Sequence, residues 1–376
     1  MSDKGKIAQD FFTELIMQDK SMSRWLSPLM AFCLSFMIIV GLAPSLGLQI
    51  DRQIDFWLLW LGTMLVLALP IVYLEIALAK RSKTSALNAL SSLTRDADAS
   101  QKWRIVGWVS VGFTAFLAGG VILNIAQIAG INAHIPLAQN MIFLIGAVIA
   151  FALSFVPRLF LVLITAVAVI ASIVLANVVG VSTQAWHMTP VEFKEWGNAT
   201  ILALVASGLG LGLYWQNNVM STSQQEAASS RSLPIWIAQL IAVVAFGYFA
   251  ISAQMPAYAI LVAAIASAAL LLNLAKEQLV QRNVALPIQY VLLLAPLFVW
   301  AVPKISSLLN PVLMLLGLAI CLIYSIFVGW MMKISHLRKA MNFSHEVFYN
   351  IWRIAVRIVL PLSIVLAMIS YIGQLI

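Results

Sequence analysis

Eleven apolar runs, most of them near twenty residues long, dictate what this 376-residue chain can become. They lie at 25-48, 56-79, 103-131, 137-156, 158-180, 199-216, 233-252, 257-275, 286-303, 309-332 and 352-374. Hydrocarbon offers no water to backbone N–H and C=O groups, so a crossing segment must bond to itself, and a helix crosses ~30 Å of it with ~20 residues. With 62% apolar and only 10% charged residues, the runs predict an all-α polytopic membrane protein of about 11 transmembrane helices. Leu137 to Val179 is about twice a span and is punctuated by Pro157-Arg158, so it predicts a hairpin of two helices.

The charge distribution gives an orientation. Of 22 Lys and Arg residues, nineteen flank one side of the predicted spans, and only Arg52, Lys194 and Lys304 fall on the other. This is a topology signal rather than a nucleic-acid patch, despite the net charge of +8, and it places the N-terminus in the cytoplasm and the C-terminus outside. Residues 4-19 space Ile7, Phe11, Phe12, Leu15 and Ile16 among charges, which fits either an amphipathic helix lying on the membrane or a mobile terminus. No cleavable signal peptide is expected there. The inner loops 81-102 and 217-232 read as polar connections. On the outer side, Thr189-Pro190-Val191-Glu192 has the residue types of a capping box and predicts the start of a short outer helix.

Cys33 and Cys321 fall in separate apolar runs and suggest packing residues rather than a disulfide or metal knuckle. His134, His187, His336 and His345 all fall in loops or near helix ends, so no helix-borne pair is expected to ligate haem or a metal. Nothing in the sequence clusters acids, histidines or metal ligands as an integral-membrane enzyme requires, and no cofactor is implied.

Two features stand out within the spans. Glu75 is the only acidic residue inside a long apolar run, in Leu69-Pro70-Ile71-Val72-Tyr73-Leu74-Glu75-Ile76-Ala77-Leu78-Ala79-Lys80. A carboxyl there costs about 2.5 to 3.5 kcal/mol unless it faces protein or water. Two readings stand: an intramembrane site, or an end residue snorkelling past Lys80. The second feature is Ala206-Ser207-Gly208-Leu209-Gly210-Leu211-Gly212. Its glycines each weaken a helix by about 1 kcal/mol relative to Ala, which fits either a helix break lining a cavity or close helix packing.

Several segments, taken in order, resemble the neurotransmitter:sodium symporter family, particularly its bacterial amino-acid transporters. They are Pro70 through Ala79; Trp103-Arg104-Ile105-Val106-Gly107-Trp108; Thr189-Pro190 leading through Trp196 into the Gly208, Gly210, Gly212 run; Leu233-Pro234; Ala263-Ala264-Ile265-Ala266-Ser267-Ala268; and Phe327-Val328-Gly329-Trp330 followed by Trp352-Arg353, Arg357 and Pro361. The resemblance implies two five-helix inverted repeats plus one extra C-terminal helix, with a site at the bilayer midplane. It divides the chain into a cytoplasmic N-terminus (1-24), a first repeat (25-180), an outer loop with a short helix (181-198), a second repeat (199-332) and a loop with the last span (333-376). It also implies the inner membrane of a bacterium, a small amino-acid-like substrate and sodium coupling.

The residues that the family uses as ligands are largely replaced. Aligned from Trp25, Pro44 takes the place of a sodium-binding Asn and Gly47 that of a gate Arg, and Met37 and Ile38 stand where the first helix is normally interrupted. By the same count Val205 replaces an aromatic lid, Ala206 an ion-binding Thr, Val244 an Asn or Asp, Ala266 a Thr, and Gly119-Gly120 a substrate-binding Tyr. Pro, Val and Ala offer no side-chain oxygen to a hard cation. The family's long outer loop between the seventh and eighth spans is cut to about five residues, Ser252 to Pro256. Glu75, Ser207, Gly208, Gly210, Ser267 and Asn273 remain as candidate substrate or ion contacts, with Asn124 and Gln127 as further polar lining, although a hydrogen bond to a neighbouring helix accounts for the polar side chains more readily than ligand contact does.

Two functions follow. One is a secondary transporter with altered or lost sodium coupling, with protons taken up at Glu75. The other is a transport-inactive scaffold that binds a protein or lipid partner in the membrane.

Overall fold

The computed structural model describes residues 25–46, 53–133, 137–179, 186–206, 208, 227–250, 256–302, 305–343 and 345–376. The predicted amphipathic helix at 4-19, Gly47, Ser207, Gly210, Gly212 and most of the 217-232 loop lie outside them.

Among the described residues eight helices are long and apolar enough to cross a membrane: α1 (Trp25–Leu46), α2 (Ile54–Ser82), α4, α6, α8, α9, α11 and α13. Here α4 is Ile105–Ala133, α6 is Arg158–Val179 and α9 is Ala257–Gln281. The helix α8 is Ser229–Ala245 with a further turn Phe246–Ala250, α11 is Ser306–Ile326 with Phe327–Met331, and α13 is Glu346–Leu375. Two shorter apolar helices, α5 (Gln139–Leu153) and α10 (Leu286–Phe298), and the interrupted α7 (Phe193–Ala206) bring the total to the eleven expected. Short helices α3 (Ala86–Asp96) and α12 (Ile334–Met341) lie outside the spans.

The packing repeats itself. The helix α4 packs on α10 and α11, while α9 packs on α5 and α6, and α4 and α9 pack on each other. Exchanging α4 with α9, α5 with α10 and α6 with α11 maps each pairing onto another, as two five-helix repeats demand. The close approach of α4 and α9 rests on small residues: Ala263, Ala264, Ala266, Ser267, Ala268 and Ala269 are all buried.

Irregular backbone is answered by side chains from other helices. The predicted hairpin forms between α5 and α6, and its exposed carbonyls are taken by α9: Asn273 Nδ2 donates to Ser154 O (2.8 Å) and Val156 O (3.2 Å), and Lys276 Nζ donates to Ser154 O (2.9 Å). Arg158 and Glu277 pair beside them. On the outer side, residues 186–192 pair with the start of α2 through Ile54 N to His187 O (3.0 Å) and Thr189 N to Asp55 Oδ1 (3.1 Å). The expected capping box is displaced by three residues. Glu195 Oε2 accepts from Glu192 N (2.9 Å), so the helix that begins here starts at Phe193 and runs on as α7.

Four spans carry a π turn, at Met64–Ala68 in α2, Phe246–Ala250 in α8, Phe327–Met331 in α11 and Ala355–Val359 in α13. A π turn widens the helix by one residue and loosens its carbonyls, and indoles reach two of these regions, in α2 and α13. Trp236 Nε1 donates to Met64 O (2.9 Å), Trp352 Nε1 to Pro70 O (3.0 Å) and Trp330 Nε1 to Arg357 O (3.1 Å). At the last contact a Cβ on Gly329 would lie 3.0 Å from Arg357 Cα, so only glycine lets α11 and α13 approach this closely.

Candidate functional site

Among the described residues the buried acid is Glu75 of α2. Its side chain is 0% exposed, so it lies in the protein interior and not among headgroups. Cys321 and Tyr324 of α11 are within electrostatic reach of it, and Tyr324 lies beside Ser110 of α4. Cys321 Sγ is 3.9 Å from Leu204 O in the last turn of α7. One carboxyl, one phenol, one hydroxyl and one thiol thus share the end of α7, all buried.

The helix α7 stops where the glycine run begins. Its last residue is Ala206, and Gly208 takes a left-handed φ of +73° with its N–H donating to Val205 O (3.3 Å). A side chain at that φ costs about 1–2 kcal/mol, so glycine is the residue that permits this ending.

The first helix behaves in the opposite way. It is continuous from Trp25 to Leu42 and closes with a 3-10 turn, Ala43–Leu46. Phe36, Met37 and Ile39 are fully buried, Ile38 is 1% exposed and Val40 is 4% exposed. No glycine or proline stands between Leu29 and Val40 to loosen the backbone. One turn from its outer end, a Cβ on Gly41 would touch Val121 Cα of α4 at 3.4 Å, so α1 lies directly against α4. Pro44 sits in the closing 3-10 turn, half-buried.

The other positions are distributed as follows. Val205 is buried, and its Cγ2 and Phe113 Cζ each lie 3.1 Å from where a Cβ on Gly317 would stand, so α4, α7 and α11 are in contact there. Gly119 and Gly120 admit Trp300 from the end of α10: a Cβ on Gly119 would meet Trp300 Cδ1 at 2.5 Å, and one on Gly120 would meet Leu313 Cδ1 at 2.8 Å. The Trp300 indole stacks on Phe116 and donates to Phe116 O (2.8 Å). The face of Gly120 is therefore turned toward α10 and α11, and its neighbour Val121 meets α1. Ala266 is buried in the small-residue face of α9, and Ser267 Oγ donates to Ala263 O of its own helix (2.7 Å). Asn273 holds the α5–α6 turn, far along α9 from Ser267. Asn124 exchanges amide hydrogen bonds with Asn310 of α11 (2.9 and 3.2 Å), while Gln127 is half-buried. Val244 is 42% exposed and Val243 is fully buried, so the register that counting gave to α8 is turned by one residue.

The structure therefore places Val205 and Gly208 at the end of α7, buries Glu75 on α2, and leaves Asn273 and Val244 elsewhere. Sequence reasoning did not anticipate Ser110, Cys321 and Tyr324 as neighbours of Glu75. Nothing in their spacing signals it, because apolar runs hide which face of α4 or α11 turns inward.

At the basic end of the bundle Arg81 bonds Asp96 (2.7 Å) and approaches His336 Nδ1 (3.5 Å), and Lys333 bonds Asp98 (2.9 Å). Hydrogen bonding and the charge of Lys333 hold the Asp98 carboxyl below the usual carboxylate range. Among the described residues no group of three or more His, Cys, Asp or Glu side chains is placed to hold a metal ion.

No family model matches the chain, and no curated protein matches it in sequence. Among solved structures it is similar to MhsT in complex with L-phenylalanine, with a TM-score of 0.53 at 14% identity over 91% of this chain and 98% of that one. MhsT is a bacterial transporter of the neurotransmitter:sodium symporter fold. The likeness shows that this chain shares the polytopic all-helical fold of MhsT.

Proposed function

We propose that this protein derives from the neurotransmitter:sodium symporter family, has lost the family's sodium-coupled amino-acid site, and serves as a membrane scaffold for a protein or lipid partner. The observation that carries this reading is the unbroken α1, whose middle turns are filled by Phe36, Met37 and Ile38. A midplane site of the family type needs backbone opened in the first helix of each repeat, to point freed N–H and C=O groups at ligand and ion. Here that opening is absent from α1, and two α9 side chains spend their donors on protein: Ser267 Oγ–H on its own helix and Asn273 Nδ2 on the α5–α6 turn. The basic side of the bundle is read as cytoplasmic.

Uptake of labelled L-phenylalanine into proteoliposomes tests the reading. No response to an inward sodium gradient is expected, and sodium-driven accumulation would overturn it. Purification in native lipid should also return a reproducible co-eluting partner, protein or lipid.

One observation favours a second reading, a proton-coupled transporter. Glu75 is completely buried beside the end of α7, where protonation would change the charge of an intramembrane cluster. Accumulation driven by an acid-outside gradient and abolished in Glu75→Gln would establish it.

A further inference from the structure

A cavity of about 790 Å³ opens toward the bilayer between α2, α8 and α13, away from the midplane cluster. Its floor is the outward face of α2 from Leu65 to Tyr73, with Leu69 and Pro70 between them. The π turns Met64–Ala68 and Ala355–Val359 border it from α2 and α13, and their contact sets its far end near mid-membrane. Eight helical rises from Leu65 to Tyr73 make about 12 Å, close to the ~15 Å hydrocarbon depth of one leaflet. A transmembrane helix from another protein would need a groove twice as deep.

The lining is graded. Leu65, Val66, Leu69, Ala355 and Val359 at the mid-membrane end are apolar, whereas the polar lining groups, the Tyr73 phenol and Ser229, lie at the end nearest the basic face. The Trp352 indole N–H is spent on Pro70 O, so that residue offers the groove only its ring. Cations gather at the same end. Lys339 precedes the lining residue Phe343 by four, Arg353 adjoins Trp352, and Arg353 and Arg338 are both within electrostatic reach of Tyr349, whose ring lies against Phe343. The nearby acid Glu346 is already paired with Arg338 at 3.0 Å. A groove one leaflet deep, apolar within and cationic at its mouth, matches an amphiphile whose charged end is negative.

We propose that this groove is a binding site for an anionic glycerophospholipid, with its acyl chains along α2 and its phosphate at the Ser229–Phe343 end. The proposal rests on the scaffold reading only in naming a lipid as a partner. Its test involves no transport, so either can fail without the other.

The test uses the full chain in nanodiscs that carry phosphatidylglycerol or phosphatidylcholine with a photoreactive acyl tail, with labelled peptides mapped by mass spectrometry. Phosphatidylglycerol should label residues 65–73 and 348–359 above the lipid-facing residues of α6, Val167 and Val174. Val66, 52% exposed, is at the mid-membrane end, so Val66→Trp should fill the groove and suppress labelling with no change in melting temperature. Lys339→Gln and Arg353→Gln should keep tail labelling and each reduce the preference for phosphatidylglycerol roughly fivefold. Labelling no greater than on α6, labelling unchanged in Val66→Trp, or equal labelling by the two lipids would overturn the proposal. So would protection of both peptides by a co-purifying protein.

Discussion

The helices α1 and α7 open the two repeats, and they treat the middle of the membrane differently. The first runs unbroken through Phe36–Val40, while the second ends at Ala206 with Gly208 left-handed. Both are rich in apolar residues, so hydrophobicity does not separate them. Two local conditions do: glycine at the point of opening, and a polar side chain within the protein to meet the opened backbone. The helix α7 has the first, in Gly208, and on the reading proposed above Glu75 of α2 supplies the second. In α1 the corresponding turns carry large side chains that fill the space a ligand would need. Among the described residues only α7 of this pair is opened, and on the proposed reading a site that needs two opened helices lacks one of them.

The contrast can be broken from either side. The largest effect is expected from making α1 resemble α7. Met37→Gly removes a fully buried side chain and adds backbone freedom, and should cost about 3–5 kcal/mol, read as a collapse of the melting transition in mild detergent. A variant that melts normally would mean that α1 is not held by packing. Next comes Glu75→Leu, which should lower stability by about 1–3 kcal/mol through loss of the buried acceptor, while Glu75→Gln keeps the fold. Equal melting of the two variants would remove Glu75 from the structural account of α7. Gly208→Ala should cost about 1–2 kcal/mol because of the positive φ, and hydrogen exchange should show the strain confined to the end of α7. The smallest effect belongs to Ser267→Ala. Its hydroxyl bonds only its own helix, so the change should be about 0.6 kcal/mol or less, with no sodium-dependent shift in melting for either protein. A sodium-dependent shift in the parent that Ser267→Ala abolishes would restore an ion site to α9.

How much of this could be read from the chain depended on the kind of signal. Span number, the α5–α6 hairpin and the stop at Gly208 were legible because they follow from run length, proline and glycine. The continuity of α1 was posed correctly as the deciding question by Met37 and Ile38. The inward face of each span was not legible. In a helix that is apolar all round, one residue of slippage turns the side chain by about 100°, which is why counting did not say that Val244 would stand 42% exposed or that Gly120 would face Trp300 and Leu313. Asn273 was open for another reason. A polar residue in an apolar run announces that it needs a partner without saying whether the partner is a ligand or a turn two helices away.

The π turn in α2 has a consequence of phase. An α-helix advances about 100° per residue, and a π turn is equivalent to one inserted residue. Everything after Ala68 on α2 is therefore set about 100° from where an uninterrupted helix would carry it, and because Pro70 to Lys80 are all buried, that offset decides which neighbours each of them meets. Deleting one residue between Met64 and Ala68 would remove no charged or polar group. It would still turn Glu75 away from Cys321 and Tyr324 and Tyr73 off the groove floor together, which makes this one turn the register mark for both the buried cluster and the lipid site.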